Sequence, residues 1–141
     1  MSPRARILAP GEEALLADGY EAIGEARPSA ERCRQLLANP TFVGVVALAP
    51  GPVGFAWGHM LAHPEGDALL LYSIDVAEGA RRQGAARAMV EAMKTLAAQR
   101  GCYEMWVATN RSNAAAMALY RAAGGISDAD DEVVFAFPTG G

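Results

Sequence analysis

Cysteine, histidine and long apolar runs are all scarce in this 141-residue chain, and each scarcity removes a class of chemistry. The two cysteines, Cys33 on a predicted helix and Cys102 at the start of a predicted strand, form no CxxC or other metal spacing. They read as small apolar side chains kept as thiols in a reducing compartment. The two histidines, His59 and His63, flank a strand end and a turn without a third ligand, so no metal is expected. The longest apolar runs, "FVGVVALA" and "ALLLY", fall far short of the roughly 20 residues that span a bilayer. The stretch "MSPRARILAPGEE" lacks the apolar core of a signal peptide. These absences predict a soluble, cytoplasmic protein with no membrane partner. Positive charge is short as well: a net charge of −4 argues against nucleic acid, which is bound by dense Lys/Arg surfaces, and leans toward a cationic ligand.

What is present is apolar content, 52% of the chain, enough for one sizeable core; the length is too short for two ordinary domains, so residues 1–141 are read as one. "RARIL" reads as a first strand, and "GEEALLADGYEAIGEA" places Ala14, Leu15, Tyr20, Ala22 and Ile23 at helical spacing. A second helix in "RPSAERCRQLLANP" has Ser29 as its expected N-cap and Asn39-Pro40 as its stop. "TFVGVVAL" and "VGFAWGHM" across "APGP" predict a hairpin, and "ALLLYSIDV" a strand buried on both faces. A helix over about 83–100 carries Ala86, Met89, Val90, Met93, Leu96 and Ala97 on one side. "YEMWVAT", "NAAAMALYRAAG" and "DEVVFAF" complete the order as strand, helix and last strand. The expected fold class is α+β, a mixed sheet with helices on both faces.

The most informative stretch is "ARRQGAAR", residues 80–87, where the buried strand feeds a glycine-containing turn that opens a helix. Backbone N–H groups converge at such a point, and the helix dipole adds to their pull on an anion. Gly84 permits close approach, Ala85 and Ala86 leave the donors uncovered, and Arg81, Arg82 and Arg87 add charged hydrogen bonds. The pattern is that of a phosphate or pyrophosphate site, although neither GxxxxGK[ST] nor GxGxxG is present.

"VAEGARRQGAA", residues 76–86, matches the [RQ]-x-x-G-x-[GA] signature of the GNAT superfamily of N-acetyltransferases, and "NAAAMALYRAAG", residues 113–124, fits its N-x-x-A-x-x-L-Y-x-x-x-G signature. The element order resembles that family over essentially the whole chain, which implies a central, mostly antiparallel mixed sheet and acetyl transfer from acetyl-CoA to a primary amine. The resemblance implies that Ile74 and Val76 pair with the pantetheine arm and that the N–H groups of Arg82, Gln83, Gly84, Ala85, Ala86 and Arg87, with the Arg81 side chain beside them, hold the pyrophosphate. It further implies that Asn113 holds the cofactor near the thioester and that Tyr120 protonates the departing thiolate. Where many members carry a strand Glu this chain has Ala108, so the base must come from elsewhere. Asp75, a carboxylate interrupting an apolar strand, is the candidate, and Ser73 lies two residues away.

For the acceptor, "LL-N-P-TFVGVVAL", "YSIDVAEGARRQGAA", "ALY" and "DEVVFAF" are similar to class I aminoglycoside 3-N-acetyltransferases. Carboxylates suit such a polycation: Asp18, Glu21 and Glu25 recur on one helical face, and Asp128, Asp130, Asp131 and Glu132 cluster near the C-terminus. Asp75 is counted with them. The plain alternative for both clusters is a solvated surface. Phe55, Trp57 and His59 share a strand face that would shape the acceptor groove if it pointed there. Two other readings stay open: acetylation of a protein N-terminus or lysine, and a module that senses acetyl-CoA without turnover. The resemblance also implies a homodimer through the C-terminal strand.

Overall fold

Strand alternation and helical spacing resolve, in a computed structural model describing residues 2–127 and 133–140, into a five-stranded sheet with four helices. The order is β1 (Arg4–Ile7), α1 (Glu13–Ala22), α2 (Ala30–Ala38), β2 (Phe42–Leu48), β3 (Pro52–Leu61), β4 (Ala68–Val76), a 3-10 turn (Glu78–Ala80), α3 (Ala85–Gln99), β5 (Glu104–Val107) and α4 (Ala114–Ala122). Spatial order follows chain order from β1 to β5. The first four strands are antiparallel to their neighbours, and β5 runs parallel to β4. That is the expected α+β, mixed and mostly antiparallel sheet.

Local chemistry sets the element ends. The Ser29 hydroxyl caps α2 by accepting the Arg32 N–H at 3.0 Å, and Asn39 turns extended ahead of Pro40, whose ring disfavours a helical predecessor. Glu12 stitches β1 to α1: its carboxylate accepts the Ala9 N–H at 2.9 Å and Arg6 Nε at 2.6 Å. The Ala9 N–H, and with it the Arg6 guanidinium, holds that carboxyl below the usual carboxylate range.

The sheet divides the core in two. Leu16, Ala17, Cys33 and Leu37 of α1 and α2 pack on Val46 and Phe55 on one face. Met89, Val90 and Met93 of α3 pack on Val45, Ala56, Leu69 and Leu71 on the other. Removing a long aliphatic side chain from either cluster, all of them buried, costs about 2–5 kcal/mol. The thiol of Cys33 is fully buried, and desolvation pushes its pKa up.

One predicted element differs. The stretch "DEVVFAF" was expected as a strand, yet residues 133–137 form none, and Val133, Val134, Phe135 and Phe137 are exposed. Alternating apolar residues set which face a strand would bury; a strand also needs a ladder partner, and residues 133–137 have none among the described residues. Residues 128–132 lie outside the described part of the structure.

Candidate active site

The ladder between β4 and β5 covers four residue pairs and ends at Leu71 opposite Val107, while β4 continues to Val76 paired only with β3. A cleft of about 840 Å³ opens where the two strands part. Its walls are residues 72–76 of β4, the start of α3, Ala108 and Thr109 after β5, and one side of α4.

At the α3 end, the backbone takes left-handed values at Arg82 (φ 64°) and at Gly84 (φ 93°), which caps the helix without any side-chain hydrogen bond. The N–H groups of the first turn of this 15-residue helix therefore face the cleft unclaimed by a capping side chain, a concave donor set suited to an anion. Ala85 is buried and Ala86 half-buried, so neither covers the donors. The three arginines behave differently. Arg87 is tied to Glu91 at 3.0 Å, and Arg81 Nε donates to the Val76 carbonyl at 3.3 Å with Nη2 3.7 Å from Asp75. Arg82 has no side-chain partner among the described residues. Gln83 is exposed and stands outside the cleft lining.

Asp75 accepts the Val76 N–H at 2.8 Å, so the N–H and carbonyl of Val76 are held by Asp75 and Arg81. Ile74 and Val76 pack into the α3-side cluster, whereas Asp75 lies opposite Phe55 of the other cluster; Ser73 and Asp75 thus share the α1/α2 face. At the α4 end, Asn113 Oδ1 caps the helix by accepting the Ala116 N–H at 3.0 Å, leaving the amide NH2 as its donor. Tyr120 is half-buried on the cleft wall, and burial raises its phenol pKa above the ordinary 10.0.

The acidic groups chosen for a cationic acceptor are not gathered here. Arg27, from beyond the end of α1, pairs with Asp18 at 2.8 Å and Glu21 at 3.2 Å, and neither these nor the exposed Glu25 line the cleft. Helical spacing predicts a shared face; it does not predict a cation folding back onto it. Asp131 and Glu132, with Asp128 and Asp130, lie outside the described residues.

Tyr72 was missed. It is the extra residue where the β3–β4 register jumps from Trp57–Ser73 to Gly58–Leu71, and its ring stacks on Trp57 at 4.5 Å. Gly58 was the available signal, because glycine inside a strand marks a bulge or a close backbone approach. A Cβ there would stand 1.9 Å from the Leu70 carbonyl oxygen.

An opened parallel strand pair, a donor set at a helix start and a tyrosine on the facing helix are the parts that the sequence resemblance ties to acetyl-CoA-dependent transfer. Residues 12–124 match the model of the Acetyltransferase (GNAT) family, and the chain belongs to that family. Its activity is acetyl transfer from acetyl-CoA to an amine. Among solved structures it is similar to the aminoglycoside acetyltransferase HMB0005 from an uncultured soil metagenomic sample, at 30% identity, with 99% of both chains covered and a TM-score of 0.79. It shares its fold with AAC(6')-Iy in complex with a bisubstrate analogue, CoA-S-monomethyl-acetylneamine (18% identity, 98% and 99% covered, TM-score 0.78). The ribosomal-protein-alanine N-acetyltransferase of Brucella melitensis biovar Abortus 2308 has the same fold (19%, 97% and 100% covered, TM-score 0.74). No curated protein matches the sequence. No helix among the described residues is long and apolar enough to cross a membrane.

Proposed function

We propose that the acceptor is an aminoglycoside, acetylated at its 3-amino group. The observation that carries the reaction is the cleft at the β4–β5 opening, which holds an anion cradle and a half-buried tyrosine together. The sequence resemblance and the 30%-identical aminoglycoside acetyltransferase support the acceptor class.

When bound, acetyl-CoA supplies an activated acetyl thioester. The N–H groups from Arg82 to Arg87 and the guanidinium of Arg82 would hold its pyrophosphate. Ile74 and Val76 would present the backbone edge to the pantetheine, with Val76 exchanging its bonds to Asp75 and Arg81 for the cofactor's amide. The Asn113 amide NH2 would donate to the arm near the thioester. Tyr120 would give its proton to the sulfur that leaves as the amine takes the acetyl group; burial keeps the phenol neutral and able to do so. Asp75, released from Val76, would attract the incoming ammonium and take one of its protons, directly or through water, before attack; the second proton, lost as the amide forms, would restore the Tyr120 phenol.

We further propose a homodimer. Residues 133–137 are an exposed apolar stretch without a ladder, and the outer edge of β5 carries no strand among the described residues. Each would satisfy the other across two copies.

Thiol release from acetyl-CoA, followed by NMR of the product, tests the function. Acetylation at N3 of a gentamicin-type drug supports the reading, and acetylation at N6' moves the regiochemistry to that named for AAC(6')-Iy. Release with alanine-terminated or lysine peptides alone replaces the acceptor, and acetyl-CoA binding without thiol release for any amine leaves the acetyl-CoA sensor.

A further inference from the structure

The bulge in β4 has a consequence for the acceptor. Alternation along a regular strand would put Tyr72 and Ser73 on opposite faces. Leu71 packs on the α3 side, as do Ile74 and Val76, so two consecutive residues, Tyr72 and Ser73, must both turn to the α1/α2 face. There Tyr72 meets an aromatic row built from three strands. Its ring stacks on Trp57 (4.5 Å, 24°), Trp57 stacks on Phe42 (6.3 Å, 27°), and His59 meets both Trp57 and Phe42 edge-on. His59 is steadied by Thr41, Oγ1 to Nδ1 at 3.0 Å. Trp57 and Phe42 are anchored against the α1/α2 cluster, whereas Tyr72 is 64% exposed and also lines the cleft. Ser73 and Asp75 continue the same face beyond it.

An aromatic ring held from one side and open on the other suits two features of one ligand. The C–H face of a six-membered sugar packs on it, and an ammonium within about 6 Å of its centroid is drawn to the π cloud. Asp75, further along the same face and lining the cleft with Arg81 3.7 Å away, offers a carboxylate to a second ammonium, while Asp18 and Glu21 share Arg27 and lie outside the cleft. From this arrangement we infer that Tyr72, backed by Trp57 and turned to that face by the bulge opposite Gly58, is the stacking platform for an amino-sugar ring of the acceptor. This rests on the acetyl-transfer reading above. Tyr72 and Trp57 are specificity-determining residues here and take no part in bond making.

The test uses kanamycin as the cationic probe and maltose as an uncharged sugar, with Trp57 emission read in a Trp106→Phe background. Kanamycin is expected to shift that emission, and maltose to do so far more weakly. Tyr72→Leu should weaken kanamycin binding about tenfold, between the scales of an exposed and a desolvated cation–π contact. Tyr72→Phe should stay within about twofold of the parent, and both variants should bind CoA as the parent does. Equal kanamycin affinity in Tyr72→Leu and the parent, or no kanamycin-dependent change in Trp57 emission, overturns the inference. If kanamycin shifts Trp57 emission and Tyr72→Leu abolishes the shift while no amine releases thiol, the platform stands and the transferase reading falls. If kanamycin is acetylated with the same KM by Tyr72→Leu, the transferase reading stands and the platform falls. Should Tyr72→Leu fail to fold, the ring-retaining Tyr72→Phe and the parent emission shift decide.

Discussion

Gly84→Ala isolates the role of backbone conformation in the anion cradle. Gly84 sits at φ 93°, ψ 5°, and an added Cβ would meet nothing within 4 Å, so no packing gain or clash enters. The whole effect is the cost of holding an L-residue in the left-handed region, about 1–2 kcal/mol. Two responses are open to the loop. If it keeps its shape, stability falls by that amount, a drop in Tm of about 3–8 °C for a domain of this size. If it relaxes, the first-turn N–H groups turn away and CoA binds less tightly, by up to about fivefold to thirtyfold. Either way the CoA-bound form loses about 1–2 kcal/mol relative to the unfolded chain. Gly79, in the same loop, also has open space around it but no left-handed φ, so Gly79→Ala should change stability by less than about 0.5 kcal/mol. Thermal melts with and without CoA, together with calorimetric CoA titration, measure both terms. Identical behaviour of the two variants would refute the conformational account of the cradle.

Replacing Tyr120 by Phe should lower turnover while leaving CoA affinity unchanged; an unaltered rate removes the phenol from the mechanism. Because burial raises the folded pKa of Tyr120 above 10.0, the unfolded chain ionises first. The contribution of the neutral phenol to stability is intact below pH 10, declines above it and is gone past the folded pKa, so the alkaline loss of stability should be smaller in Tyr120→Phe, as urea melts from pH 9 upward would show. Gly58→Ala should cost several kcal/mol, because the Cβ would meet backbone, the Leu70 carbonyl, which has no rotamer to escape by; a chemical melt within about 0.5 kcal/mol of the parent would dismiss the bulge geometry. Phe135→Asp should shift the mass seen by light scattering from dimer to monomer, and a monomeric parent at micromolar concentration would end the dimer proposal.

How much could be read in advance depended on range along the chain. Ser29 as a cap, Asn39-Pro40 as a stop and the α3 stripe through Met89, Val90 and Met93 are local matters of side-chain reach and helical period, and they stood in the sequence. So did the turn at residues 81–84 opening α3, since a left-handed glycine before a helix is a backbone requirement that residue type reveals. Tertiary contacts decided the rest. Arg27 folds back onto Asp18 and Glu21, turning a predicted acidic face into an internally paired one. Asp75 spends its carboxylate on the next residue's N–H, a bond that strand alternation does not announce. Tyr72 looked like one more member of an apolar run until the register jump against β3 turned it onto Trp57. The stretch "VVFAF" has a strand's composition without a strand's partner among the described residues. Periodicity and caps are set by neighbours a few residues away, so the sequence alone determined the helices, the first five strands and the turn that opens α3. Pairing, register and charge compensation depend on groups brought together from distant positions, and those only the folded chain decided.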